Sequence, residues 1–276
     1  MTEICLCYAW DVNGRNFVLR SRTMTKTVDE VRSEMDVLYA SGKAYQSALV
    51  FDAIRGNQIR ATSLHLSTPF AQDPTARILD IGCGEGGITA FFPHRNVIGI
   101  DISPVAIERA RHNFPTGHFE ASAIEVLAQA SWYDGPFDLV VAQESIEHWT
   151  NAEQGLRVVA SVLKPGGWFV LTTPNRDSLH CRMSRKFKRE APYCSNDHIH
   201  EFGYTELIDA VRKHGFRHDK ACGVHLAPYW SMEQELGDKI RSITDNDEEV
   251  NVWLNEIGRS CPEYSFIQCH RFVREP

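Results

Sequence analysis

Short apolar runs alternate with amphipathic segments through the middle of this 276-residue chain. The apolar runs are rich in Ile, Val, Leu and Phe, and each is four to seven residues long, which is typical of buried strands. Alternation of this kind predicts a parallel sheet with helices on both faces. The predicted strands are 77–81, 96–101, 117–120, 137–142 and 167–173, and the helices between them are 86–92, 103–113, 122–130 and 151–163.

The pattern continues on both sides of this core. Downstream, a helix is predicted over 204–214, a further strand begins at Gly215, and residues 265–273 form a closing strand. Upstream, Asn13-Gly14 lies between two apolar runs and predicts a β-hairpin over residues 4–22. Helices are predicted at Val28–Ala40 and Tyr45–Leu64.

Two domains follow from this reading. Residues 1–66 form a hairpin and helical cap, and residues 67–276 form the α/β domain. Two insertions, 176–200 and 225–262, are expected near the carboxyl end of the sheet, where ligands bind in open α/β folds. They are the natural cover for a substrate. The hairpin is expected either to pack over the active site or to make a subunit contact. The second case would make the protein a homo-oligomer.

Composition and charge narrow the class of protein. The hydrophobic content of 43% is enough for a full core, and the net charge of −7 gives no general nucleic-acid footprint. The first residues do not resemble a signal peptide, and no apolar stretch has the length of a membrane span. The eight cysteines are scattered, which favours reduced thiols in a cytoplasmic protein.

A glycine-rich loop follows the first core strand. Asp80 is followed by Gly82, Gly84 and Gly86, and the next strand ends in Asp101. A strand, a glycine loop and a second strand that ends in a carboxylate are typical of a nucleotide-binding βαβ unit. The loop carries acids and has neither Lys nor Arg, so it suits a ligand with an ammonium or sulfonium group better than a pyrophosphate.

The loop resembles the first motif of the class I S-adenosylmethionine-dependent methyltransferases. Later segments match that family in order, including Leu163-Lys-Pro-Gly-Gly167 and the strand after it, and the resemblance covers roughly residues 45 to 220. It implies a Rossmann-like, mostly parallel sheet of seven strands whose last strand is antiparallel. It also implies S-adenosylmethionine as cofactor, with Asp101 on the ribose hydroxyls. The implied cofactor-binding set is Asp80, Gly82, Gly84, Gly86, Asp101, Ile102, Ser122, Ala123, Gln143 and Arg60.

A second cluster of polar residues follows the fourth core strand. Glu144, Glu147 and His148 are spaced i, i+3, i+4, which on a helical turn places two carboxylates and an imidazole on one face. Two further imidazoles, His198 and His200, come about fifty residues later. Such a mixed oxygen and nitrogen set suits Mg²⁺, Mn²⁺ or another divalent ion.

This cluster is similar to those of two methyltransferase groups, the ubiquinone-pathway O-methyltransferases and the small-RNA 2′-O-methyltransferases. Both have Glu-x-x-Glu-His after the fourth strand, and the second group has a later His-x-Phe. That resemblance implies a metal site of Glu144, Glu147, His148 and His200. In the competing interpretation no metal binds, and His148 or His198 acts as general base. The expected catalytic set is therefore Glu144, Glu147, His148 and His198.

The predicted function is methyl transfer to a hydroxyl of a small organic acceptor, assisted by a divalent ion. A bound cation lowers the pKa of the hydroxyl and fixes its position. Two alternatives remain open: a metal-independent C- or N-methyltransferase of a small molecule, and an RNA 2′-O-methyltransferase. The basic cluster Arg182–Arg189 gives the RNA alternative mild support, although such clusters are more commonly a solvated helix face.

Overall fold

The computed structural model describes most of the residues of the chain. They are 5–10, 16–21, 26–41, 50–92, 96–188, 197–226 and 247–276. The predicted turn at Asn13-Gly14 and the start of the predicted helix Tyr45–Leu64 lie outside them, as do the middle parts of both predicted insertions.

A seven-stranded sheet forms the centre of the described structure. Its strands are β3 (Ile78–Ile81), β4 (Val97–Asp101), β5 (His118–Ala121), β6 (Phe137–Gln143), β7 (Leu163–Pro174), β8 (Phe216–Val224) and β9 (Ile267–Arg274). Their order is β5-β4-β3-β6-β7-β9-β8, and β9 runs antiparallel to both of its neighbours. This is the predicted Rossmann-like sheet with an antiparallel last strand.

The two faces of the sheet are covered because successive side chains of a strand point to opposite sides. In β3, Leu79 and Ile81 belong to one apolar cluster and Ile78 belongs to another. Helices α4 and α6 cover the first face, and α2 covers the second. The helices are α1 (Val28–Ala40), α2 (Val50–Ser67), α3 (Pro104–Asn113), α4 (Ala152–Val162), α5 (Leu179–Lys188), α6 (Tyr204–Arg212) and α7 (Asp247–Ser260).

The amino-terminal elements agree with the predicted pattern where they are described. Strands β1 (Cys5–Trp10) and β2 (Asn16–Ser21) pair antiparallel as a separate two-stranded sheet. Helix α1 begins with a capping box in which Thr27 and Glu30 satisfy each other's backbone N–H groups. Its buried face packs against Ala106 of α3, beside the carboxyl end of β4.

Two predicted helices take a different form. The segment 86–92 is a series of turns ending in a 3₁₀ helix at Thr89–Phe91, and the segment 122–130 contains a 3₁₀ helix at Ile124–Gln129. Gly86 has φ of +89°, which an α-helix does not allow. The hydroxyl of Thr89 also bonds Asp80, and this contact holds the segment close to the strand.

The insertions contribute helices where the structure describes them. Helix α5 lies in the first insertion and includes residues 182–188 of the basic cluster, and α7 lies in the second. Among the described residues, no helix is both long enough and apolar enough to cross a bilayer.

Candidate active site

The glycine loop after β3 has a backbone that requires glycine. Gly82, Gly84 and Gly86 have φ values of +73°, +53° and +89°. The surroundings of the loop are also tight. A Cβ added at Gly82 would lie 2.4 Å from the Ser145 hydroxyl, and one added at Gly84 would lie 2.8 Å from the Tyr39 hydroxyl. The loop can therefore present its main chain closely to a ligand.

Asp101, at the end of β4, supports this loop directly. One carboxylate oxygen accepts the N–H of Gly84 at 2.9 Å, and the other accepts the N–H of Ser103 at 2.9 Å. Burial raises the pKa of Asp101 to about 6. Each carboxylate oxygen has two lone-pair sites, so capacity remains for hydroxyl groups of a ligand.

Asp80 lies deeper in the same site and is fully buried. One of its oxygens accepts the Thr89 hydroxyl, whereas Oδ1 has no hydrogen-bond partner among the described residues. Burial raises the pKa of Asp80 to about 7, and the charge of Asp101 adds to this rise. A cationic ligand would relieve the repulsion between these two carboxylates.

An open cavity lies in front of this loop, and its empty space, which merges with solvent at the mouth, is about 630 Å³. Helix α1 covers it with Val31, Met35 and Tyr39. The predicted cofactor residues that line it are Gly82, Asp101, Ile102, Ser122 and Ala123. The glycine cradle and the unpartnered oxygen of Asp80 fit a cationic, adenosine-containing cofactor.

Five of the ten predicted cofactor residues are not among those that line this cavity: Asp80, Gly84, Gly86, Gln143 and Arg60. Gln143 ends β6, and its buried Oε1 has no hydrogen-bond partner within the described structure. Arg60 lies on α2, where its guanidinium group stacks over the Phe91 ring at 4.8 Å and donates to Asn57. The structure therefore places Arg60 beside the segment that follows the glycine loop.

The two glutamates after β6 contact different residues of β7. Glu144 accepts a hydrogen bond from Thr172 at 2.9 Å, and Glu147 accepts one from Thr173 at 3.0 Å. Adjacent residues of a strand point to opposite faces, so the two carboxylates are held by opposite sides of β7. The predicted helical turn begins only at Ile146, as a 3₁₀ turn, and Glu144 before it has φ of +49°.

The structure brings Glu147, His148 and His198 together. One donor atom from each of them lies within 4.8 Å of the other two. The two imidazole rings are 4.9 Å apart and nearly perpendicular. Glu147 is buried, and burial together with the charge of Glu144 raises its pKa to about 8. One carboxylate and two imidazoles form a donor set suited to a divalent ion.

The two imidazoles of this cluster have different surroundings. Burial lowers the pKa of His148 to about 4, so its ring is neutral at physiological pH. Its Nδ1 lies 3.6 Å from a carboxylate oxygen of Asp197. Burial also opposes a charge on His198, but its hydrogen bond with Glu201 and the charge of Glu147 raise its pKa.

His200 lies apart from the cluster, contrary to the ligand set that the resemblance implied. Its Nε2 bonds Glu206 at 3.0 Å, and its ring packs on Phe202 at 4.4 Å. Both Ile199 and His200 donate their N–H groups to the carbonyl of Glu147. This turn brings His198, and not His200, close to Glu147 and His148. Glu144 is likewise absent from the group of three.

Two residues that shape this cluster are absent from the sets predicted from the sequence. Glu201 is completely buried and bonds His198, and Thr173 holds Glu147. The available signal was an acid three residues after a histidine, a pattern that is common on protein surfaces.

A family profile described as a methyltransferase domain matches residues 51–221, which is more than half of the chain. The chain belongs to the class I S-adenosylmethionine-dependent methyltransferase family. The matched region contains the glycine loop, Asp101 and the Glu147 cluster.

Individual relatives of this methyltransferase agree with the assignment. A ubiquinone biosynthesis O-methyltransferase of Bordetella avium is 33% identical over 160 residues, which cover 55% of this chain and 66% of that protein. A trans-aconitate 2-methyltransferase of Variovorax paradoxus is 33% identical over 125 residues, which cover 43% and 46%. The chain thus spans less than two thirds of either relative.

Solved structures show the same fold. The magnesium protoporphyrin IX methyltransferase of Synechocystis PCC 6803, solved with bound SAH, matches with a TM-score of 0.56 at 12% identity. The match covers 90% of this chain and 97% of that one. Binding of S-adenosylmethionine by this chain is supported both by the family and by the residues that line its cavity.

The affinity of the methyltransferase for S-adenosylmethionine is expected to fall as the pH drops through about 6, the pKa of Asp101. The pKa is raised, so protonation begins at a higher pH than usual, and a neutral carboxyl is a weaker acceptor for ribose hydroxyls. Protonation of Asp80, with its pKa of about 7, adds to the fall. Calorimetric titrations between pH 5 and pH 8 measure the effect. An affinity that does not change over that range would contradict the prediction.

Proposed function

We propose that this chain transfers the methyl group of S-adenosylmethionine to a hydroxyl of a small organic acceptor. We also propose that a divalent ion held by Glu147, His148 and His198 assists the reaction. The observation that carries the proposal is the position of this cluster. His148 belongs both to the cluster and to the wall of the cofactor cavity, so the cluster lies beside the place where the methyl donor binds.

The donor set supports an ion and indicates its type. Within the described residues, the buried Nδ1 of His148 has no hydrogen-bond partner, although a carboxylate of Asp197 lies 3.6 Å away. Two imidazoles and one carboxylate favour Mn²⁺ or Zn²⁺ over Mg²⁺, which prefers oxygen ligands. The sequence left Mg²⁺, Mn²⁺ and other divalent ions open, and this donor set narrows the proposal to Mn²⁺ or Zn²⁺.

Methyl transfer is an in-line displacement at a carbon that the sulfonium already activates, so alignment and deprotonation of the acceptor remain for the enzyme. A bound divalent ion supplies a lowered pKa of the acceptor hydroxyl and a fixed position for its oxygen. Thr173 orients Glu147 through its hydroxyl, and Glu201 bonds His198. Asp101 and Gly82 of the glycine loop line the same cavity as His148 and would hold the donor there.

The choice of a small acceptor with an attacking oxygen rests on two arguments. The Bordetella relative is named for O-methyl transfer, which supports oxygen as the nucleophile. The basic helix α5 gives RNA little to bind at two of its positions. Arg185 donates to the carbonyls of Cys181 and Arg176, and Arg182 donates to the carbonyl of Asp177. A net charge of −7 also disfavours a nucleic acid.

The direct test uses purified protein and S-adenosylmethionine with a labelled methyl group. Small phenols and catechols form one set of acceptors, and short single- and double-stranded RNA forms the other. We expect labelled methyl ethers in the first set only, and label transferred to RNA instead would refute the small-molecule assignment. Activity should be lost in a chelator and return with Mn²⁺ or Zn²⁺.

The position of His148 favours a second mechanism without metal. Its imidazole lines the cavity and is neutral, as a general base must be before it accepts a proton, although a pKa of about 4 makes it a weak base. Full activity in the chelator, together with a protein that contains no metal by elemental analysis, would establish this second mechanism and refute the first.

A further inference from the structure

A buried ion-pairing contact lies directly behind the Glu147 cluster. Glu201 has no exposed surface, and its Oε1 lies 2.5 Å from Nδ1 of His198. Burial of a carboxylate costs free energy unless the group is paired or strongly hydrogen-bonded. The contact with His198 therefore offsets part of the cost of burying Glu201.

We infer that Glu201 is a positioning residue. Its carboxylate accepts a hydrogen bond from the Nδ1–H group of His198, and Nε2 of the same ring is left directed at Glu147 and His148. An imidazole that donates from Nδ1 has its remaining lone pair on Nε2. Histidines that bind metals are commonly held in this way by a carboxylate behind them. The inference rests on the proposed function only in its metal-binding part.

The loop that carries His198 is held by contacts other than Glu201. On one side, Ile199 and His200 donate their N–H groups to the carbonyl of Glu147 at 2.8 and 3.2 Å. On the other side, the buried amide of Gln268 donates to the carbonyl of Phe202 at 2.9 Å and to that of Pro174 at 3.3 Å. The backbone is therefore anchored on both sides, and the role left to Glu201 is to orient the imidazole ring.

The same loop offers a matched control. His200 also pairs with a glutamate, Glu206, at 3.0 Å, but this pair is part-exposed and lies outside the cluster. If a nearby carboxylate mattered only for general charge, both pairs would respond alike. If Glu201 positions His198, only the first pair affects the cluster.

The test combines imidazole ¹⁵N NMR with calorimetric titration of Zn²⁺ into the metal-free full-length protein. The variants are Glu201→Leu, which removes the acceptor, Glu201→Gln, which keeps an acceptor oxygen without the charge, and the control Glu206→Gln. Spectra are recorded at alkaline pH, where the ring is neutral, and the signals of His198 are assigned from their loss in His198→Asn. Thermal melting checks that each variant folds.

We expect wild-type His198 to carry its proton on Nδ1, and Glu201→Leu to lose that preference. The Zn²⁺ affinity should fall by about 100-fold in Glu201→Leu and about 10-fold in Glu201→Gln, the range typical of such supporting contacts. Glu206→Gln should change neither quantity. If Glu201→Leu does not fold, the wild-type tautomer and Glu201→Gln still decide the question.

A wild-type proton on Nε2 would overturn the inference. So would a Glu201→Leu protein that keeps the Nδ1 proton, or Zn²⁺ affinities of the two Glu201 variants within twofold of wild type. A wild-type protein that binds no Zn²⁺ at all would instead refute the metal site of the proposed function. The tautomer measurement would then decide the role of Glu201 by itself.

Discussion

Replacement of His198 with asparagine is expected to lower turnover by at least about 100-fold, because the proposed ion loses one of its three ligands and even the loss of a supporting contact typically costs 10- to 100-fold. The asparagine amide occupies the place of Nδ1, so it can still donate to the buried Glu201, whereas Nε2 is lost. Because His198 is not among the residues that line the cofactor cavity, the affinity for S-adenosylmethionine should stay within about twofold.

The matched control is His200→Asn. His200 lies two residues away, but its Nε2 bonds Glu206 and it is absent from the cluster. We expect this variant to retain nearly full turnover. Single-turnover methyl transfer and calorimetry with the cofactor product measure the two quantities separately. Equal losses in the two variants would show that the loop as a whole matters, and the reverse order would restore the ligand set implied by the sequence resemblance.

Replacement of Asp101 with asparagine is expected to weaken binding of S-adenosylmethionine by about 10- to 100-fold. A hydrogen bond to a charged group contributes about 1.5–3 kcal/mol, and asparagine offers the ribose hydroxyls one neutral acceptor in place of two charged ones. The variant should also lose the N–H bond of Gly84 or that of Ser103, since one end of the amide is a donor. Calorimetry at pH 8, above the pKa of Asp101, gives the largest difference.

Glu85→Gln is the control for charge in this loop. Glu85 lies between Gly84 and Gly86, but its carboxylate pairs with Arg109 at 2.8 Å, and both side chains are 35% exposed. Exposed pairs of this kind contribute little, so the cofactor affinity should change by less than about threefold. A loss equal to that of Asp101→Asn would mean that the total charge of the loop, and no specific contact of Asp101, governs binding.

Much of the fold could be predicted because its signals are local. The strand Ile78–Ile81 is an apolar run that ends in glycines, and every one of its residues is buried between helices. Ser103 and Pro104 are residue types typical of a helix start, and Ser103 caps α3 by accepting the N–H of Ala106. The prediction of a helix over residues 86–92 was wrong because Gly86 has φ of +89°, a conformation that breaks an α-helix.

The sequence indicated that Glu147, His148 and a later histidine belong to one site, but it did not indicate their arrangement. The spacing of Glu144, Glu147 and His148 suggested one helical face, yet Glu144 adopts a left-handed backbone and bonds Thr172. That contact joins residues 28 positions apart in the chain. No periodicity within the Glu144–His148 segment carries information about it.

By itself, the sequence determined the strands, the glycine loop and the acid at Asp101, because these depend on side-chain periodicity and on backbone conformations that few residues allow. The tertiary structure alone decided which histidine joins Glu147 and His148. The loop is hydrogen-bonded to the carbonyl of Glu147, and the buried Glu201 bonds His198. His200 instead bonds Glu206, outside the cluster. No local sequence pattern distinguishes His198 from His200, which are two residues apart. Only contacts with distant parts of the chain distinguish them.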